Sequence, residues 1–196
     1  MKLAKSIGRL GTETAFEVLA KAKKLEAQGK DIVHLEIGEP DFETPDHIKE
    51  AAKKALDDNF THYVPSPGLM EVREVIAEHQ SAVHNKNISP ENVVFTPGAK
   101  PIMFFTIMAL IEPGDEVIYP NPGFPIYESM INYVGGKAVP MELKEEKEFN
   151  ADVDLIEQSI TDKTKLIILN SPNNPCGSVM EPSDIKRVAD IAKEKD

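Results

Sequence analysis

The sequence predicts an α/β protein with three layers, α/β/α, built on a mostly parallel sheet and preceded by an N-terminal helical segment. Two observations carry this. Past Pro90, short apolar runs alternate with helix-length segments, the order expected when crossover helices join parallel strands. Runs such as Leu166–Leu169 (LIIL) are apolar at every position, as befits strands covered on both faces.

Each element has a local rationale. Thr12 can cap a helix through about Ala27, which Gly29 can end. Ile32–Ile37 is apolar at most positions and reads as a strand. GEPDFETPD is a loop of turn formers. Thr44 followed by Pro45 predicts a helix start, a capping hydroxyl before proline at the first helical position, with the helix running to about Asp58. THYVPSPG is a second loop, and Leu69 to about His84 a further helix. The alternation then begins. Strands are expected at Asn92–Phe95, Glu116–Tyr119, Lys137–Met141 and Leu166–Leu169. Helices are expected at Lys100–Ile111, Phe124–Val134, Val153–Ile160 and Pro182–Lys195. Lys144–Glu148 (KEEKE) reads as a solvated turn. Pro101–Ile111 is the most apolar stretch and reads as a buried helix, far short of the ~20 residues that span a bilayer. The last helix runs to Asp196 with no strand after it, so the chain reads as cut short, a natural C-terminal helix being the other reading.

Bulk properties exclude several functions. A formal net charge of −11 argues against a general nucleic-acid binder. Cys176 is the only cysteine, so no internal disulfide forms and a reducing compartment is expected. The start, MKLAKSIGRLGTETAF, has no apolar core of signal-peptide length. A cytoplasmic protein with no membrane partner is expected. His34, His47, His62, His79 and His84 show no metal-ligand spacing, so no metal site is expected. GxGxxG, GxxxxGK and GxSxG are absent.

Ligands of open α/β sheets bind beyond the carboxyl ends of the strands, and three loops there carry unusual residues. TPGAKP (Thr96–Pro101) opens a helix; its glycine permits close backbone approach, its N–H groups suit a phosphate, and Lys100 adds charge. A plain turn with a solvated lysine is the other reading. YPNPGFPIY (Tyr119–Tyr127) is stiffened by Pro120, Pro122 and Pro125 and can present Phe124 to a flat ligand, or simply bury it. NSPNNPCG (Asn170–Gly177) can turn amides toward a ligand oxygen, or close an Asx turn. Cys176 has no neighbouring base in sequence.

Taken in order, GEPDF, then Y-x-P-x-x-G, TPGAK, PGDEVIYPNPGFPIY and NSPNNPCG resemble the class I/II aminotransferases of the aspartate/tyrosine type, pyridoxal 5'-phosphate (PLP) enzymes of fold type I. The resemblance runs from about Asp31 to Glu181. It implies a cofactor set of Gly98, Ala99 and Lys100 at the phosphate, Phe124 stacked on the pyridine ring, Asn174 at the phenolic oxygen, and Tyr63 reaching the phosphate of a neighbouring subunit. Gly38, Phe124 and Asn174 are implied to meet the substrate. Asn121–Pro122 and Asn174–Pro175 are implied to be cis, and Arg73 to be structural. Cys176 departs from the family's usual threonine. The resemblance further implies that residues 1–44 are an N-terminal arm and small-domain segment, and 45–196 the first part of the PLP-binding large domain. No catalytic residue is expected in this chain, because the Schiff-base lysine, the aspartate at the pyridinium nitrogen and the carboxylate-clamping arginine are implied to lie downstream. The implied reaction moves an amino group between an amino acid and a 2-oxo acid, in a homodimer. Other fold-type I chemistry, such as a carbon–sulfur lyase or an aminocyclopropane-carboxylate synthase-like reaction, fits the same residues. A non-catalytic aminotransferase-like regulatory domain is a further alternative, against which stand the few residues ahead of GEPDF.

Overall fold

The computed structural model describes residues 2–11 and 14–195. The chain divides into two compact units, one of residues 1–14 and 100–196, the other of 15–99.

The first is the sheet unit. Its strands are β1 (Glu116–Asn121), β2 (Lys137–Glu142) and β3 (Thr164–Ile167). They pair in the order β2–β1–β3, all parallel. β1 is central, and the side chains of Glu116 to Pro120 are buried. The strand period of two sends alternate residues to opposite faces. Val117 and Tyr119 join Ile107 and Ile111, around the end of helix α4 (Ala99–Leu110), with Tyr127, Met130 and Ile131 of α5 (Ile126–Val134). Ile118 faces the other way, onto Val153 and Ile156 of α6 (Val153–Ser159) and Val188 and Ile191 of α7 (Pro182–Glu194). Helices thus cover both faces, as the apolar strands predict.

A buried carboxylate ties the strand starts together. Glu116 accepts from Lys137 Nζ at 2.8 Å and from Thr161 Oγ1 at 2.7 Å. These two partners hold its carboxyl below the usual carboxylate range. Residues 5–9 form a short 3₁₀ turn packed on α5. Arg9 donates to the carbonyls of Asn132 and Tyr133 at 2.8 and 2.6 Å, so a guanidinium occupies the helix end where the dipole favours a cation.

The second unit is helical: α1 (Thr14–Glu26), α2 (Asp46–Asp57) and α3 (Met70–His84). Gly29, at φ +82°, follows the turn that ends α1, as expected. The expected Thr12 cap lies outside the described residues. Buried Arg73 of α3 donates to the carbonyls of Val93 and Pro90 at 2.9 and 2.8 Å, a structural role.

Several expectations are corrected. Ile32–Ile37 is not a strand, and neither is Asn92–Phe95. A strand needs a neighbour for its N–H and C=O groups. Among the described residues 32–37 pair with none, and Val33 and Leu35 are 81% and 89% exposed. Pro90–Asn92 is instead a 3₁₀ turn capped by Ser89, and the Val93 carbonyl is taken by Arg73. Thr44 does not cap α2: Pro45 occupies the cap position and no side-chain bond is made there. The apolar helix α4 is not buried all round. Ile107 is its buried residue, while Ile102, Phe105, Met108 and Leu110 are about half exposed. One face meets the sheet, and the rest is uncovered among the described residues. The charged run at 144–148 is the exposed turn expected of it, with a 3₁₀ turn at Glu145–Lys147 between β2 and α6.

Candidate functional site

Two of the three unusual loops leave neighbouring parallel strands at the same end of the sheet. β1 runs into Asn121–Pro125, and β3 into Asn170–Gly177 after Ile168 N–H has donated to Ile118 C=O at 2.8 Å. This is the edge where parallel sheets hold ligands.

In the β1 loop the Asn121–Pro122 bond is cis, as expected. The loop then turns so tightly that a Cβ on Gly123 would lie 2.1 Å from the Pro120 carbonyl oxygen. Only glycine fits there, and the turn sets the position of the next residue, Phe124. The Phe124 ring is half buried and packs edge-on against Tyr127, with centroids 6.0 Å apart and planes at 86°. The ring is thus packed against the core without being fully buried. Lys100 Nζ stands 5.8 Å from the ring centroid, within cation–π range. Nearby, burial and a hydrogen bond with Glu128 push the Tyr119 hydroxyl up to about 12, so it stays protonated at neutral pH.

The β3 loop contains cis bonds at Asn174–Pro175 and, unforeseen from the sequence, at Ser171–Pro172. Its amides divide the work. Asn173 is buried; its Oδ1 accepts from Cys176 N–H at 3.1 Å, and its own N–H donates to Ser178 C=O at 2.8 Å. With its amide turned to suit its neighbours, Asn170 accepts from Asn174 N–H at 3.0 Å. Asn173 and Asn170 therefore shape the loop, and the Asn174 side chain is exposed. The sequence marks the loop but not this division, because neighbouring asparagines look alike until the backbone orients them. Cys176 is half buried, with a free thiol.

The third loop precedes α4. Thr96 Oγ1 donates to Gly98 C=O at 2.7 Å, and Gly98 takes φ +88°, a conformation that favours glycine. A Cβ there would meet nothing within 4 Å, so the backbone is open to close approach. Ala99 then begins α4, whose first-turn N–H groups lack intrahelical acceptors. In the helical unit, Gly38 is exposed in an irregular segment and the Tyr63 ring stands wholly in solvent. The structure thus brings Lys100 and Phe124 together. Among the described residues, Tyr63 and Gly38 have no partner that defines a role, and no cluster could hold a metal ion.

These features coincide with a family. A profile of the aminotransferase class I and II family matches residues 30–196. A probable aspartate/prephenate aminotransferase of Aquifex aeolicus is 39% identical over 193 residues, covering 98% of this chain and 49% of that protein. A probable aspartate aminotransferase of Methanocaldococcus jannaschii is 46% identical, covering 84% of this chain and 43% of the relative. Among solved structures, the aspartate aminotransferase of Thermus thermophilus with maleate superposes with a TM-score of 0.94 at 37% identity, over all of this chain and 51% of that one. The alanine aminotransferase of Pyrococcus furiosus gives 0.93 at 32% identity, covering 99% of this chain and 50% of the other. The chain spans about half the length of the curated relatives it matches. With a match over most of its length, the chain belongs to the aminotransferase class I and II family.

Proposed function

We propose that this chain is the N-terminal, cofactor-cradling portion of a PLP-dependent aminotransferase that moves an amino group between an amino acid and a 2-oxo acid. The observation that carries the reading is Phe124: a half-buried ring at the carboxyl end of the central strand, fixed by the Gly123 turn, with the Lys100 ammonium beside it. A flat, anionic, phosphorylated cofactor fits this set, since it needs a ring face, a cation and an uncrowded helix start.

In this reading Gly98 and Ala99 offer backbone N–H groups to the phosphate, and Lys100 supplies the positive charge. Phe124 packs on the pyridine ring and fixes its plane. Asn174 donates its side-chain amide to the phenolic oxygen. Tyr63 reaches the phosphate of a second subunit in a homodimer, a role its full exposure leaves open to it. Gly38, Phe124 and Asn174 border the amino-acid substrate. The bound cofactor supplies an electron sink for the amino acid's α-carbon. Residues 1–44 form an arm and small-domain segment and 45–196 the first part of the large domain. The protein works in the cytoplasm; among the described residues no helix is long and apolar enough to cross a membrane. The names of the relatives make aspartate the first donor to try.

The test is PLP binding and amino transfer by the full-length protein. Wild type is expected to bind PLP and convert aspartate and 2-oxoglutarate to oxaloacetate and glutamate. Phe124→Ala is expected to raise the Kd for PLP roughly tenfold, the value of one aromatic contact. Release of ammonia or sulfide instead of a new amino acid would favour lyase chemistry. An unchanged Kd in Phe124→Ala would remove the ring from the cofactor site.

A further inference from the structure

His34 has a role that the aminotransferase reading does not use. It lies in the extended segment 32–37, which has no strand partner among the described residues. Its Nε2 is 2.8 Å from Glu26 Oε1, in the last turn of α1. Its Nδ1 is 2.7 Å from Glu36 Oε1, on its own segment. Both carboxylates are acceptors only, so each contact needs an N–H on the ring. Neutral imidazole has one N–H and the imidazolium two. The double contact therefore belongs to the protonated ring, and a neutral ring gives up one carboxylate.

We infer that His34 is a proton-operated clamp, holding segment 32–37 to the end of α1 as the imidazolium and slackening when the ring becomes neutral. The setting suits this. Glu36 is nearly buried, with 10% of its side chain exposed, whereas Glu26 is 42% exposed. The contact to Glu26 is the one that water can replace, and it is the one that spans the two elements. Among the described residues, the charged groups facing the ring are Glu26 of α1 and Glu36 of its own segment. Both raise the imidazole above its ordinary value, through their hydrogen bonds first and their charges second. His34 in turn holds Glu36 below the usual range. A group whose pKa is raised by folding stabilises fully below its unfolded pKa and stops doing so as pH rises through the folded one. The clamp is thus closed in mild acid and opens as pH climbs past the raised value. Gly38 lies two residues beyond Glu36, so a slack segment reaches the GEPDF loop. The inference does not depend on that loop's function.

Ring-nitrogen NMR of the full-length protein, combined with hydrogen exchange at several pH values, tests it. His34, assigned by loss of its signals in His34→Gln, is expected to titrate above the ordinary imidazole value. Glu26→Gln is expected to lower that titration. Protection of the amides of 32–37, corrected for intrinsic exchange, is expected to fall about two- to fivefold across it, the scale of an exposed ion pair. In Glu26→Gln the fall should disappear. Titration of His34 at or below the ordinary imidazole value would overturn the inference, as would protection that ignores pH in wild type or still tracks it in Glu26→Gln. Either result would leave PLP binding and amino transfer to be judged separately.

Discussion

At Gly123 the position of a single hydrogen decides whether the β1 loop closes. The nearest atom to a Cβ added there would be a main-chain carbonyl oxygen, at 2.1 Å, so the backbone itself would have to move. Gly123→Ala is therefore expected to destabilise by about 1–3 kcal/mol, the usual cost of overpacking, and to displace Phe124. Urea denaturation and PLP titration of the full-length protein check this; an unaltered midpoint would show that the loop can relax. Tyr119 follows the same logic. It is legible as a strand residue, but its raised pKa comes from burial on β1 and from Glu128, a neighbour the sequence places nine positions away with no marker of contact. Lys100 and Phe124 are likewise distant in sequence, and only the fold puts the cation at the ring.

Elements follow their local codes wherever a code exists. The helices at 70–84, 126–134, 153–159 and 182–194 lie within two residues of the expected ends, and β1 and β2 begin where their runs were expected; β3 begins at Thr164, two residues before the run expected at Leu166–Leu169, and ends at Ile167. The codes fail where a partner has to come from elsewhere. Val93–Phe95 is apolar like a strand, yet α3 reaches it first, through the Arg73 guanidinium. Arg73→Met keeps most of the aliphatic stem and strands the Val93 and Pro90 carbonyls. It is expected to cost roughly 2 kcal/mol, within the range for unpaired buried groups. A denaturant midpoint equal to wild type would show that water replaces the guanidinium. Helix α4 shows the complementary limit: an apolar composition says that a helix wants cover on every side, but not which sides receive it.

For the whole molecule, the half-length match to its relatives bears on activity. The chain is proposed to carry the cradle, with the covalent anchor and the carboxylate clamp supplied by residues beyond it. The 196-residue chain alone is thus expected to show no transamination, and borohydride reduction with PLP is expected to leave no stoichiometric adduct on one lysine. Mass spectrometry of the reduced chain decides the matter; a site-specific adduct, on Lys100 for example, would overturn the division of labour. Full-length protein should give both signals.

Short-range pattern was enough for the α/β class, the parallel sheet, the loops that follow β1 and β3 and the cis bonds at Asn121–Pro122 and Asn174–Pro175. These follow from hydrophobic period, proline and glycine placement, and short motifs, all of which act over a few neighbouring residues or come with the family resemblance. The tertiary structure was needed to show that Ile32–Ile37 and Asn92–Phe95 form no strand, that Asn173 is buried while Asn174 is exposed, and that His34 meets two carboxylates at once. Each of these depends on which group arrives across space to satisfy a donor or acceptor. Local pattern records what a residue needs, and the fold settles which partner meets that need.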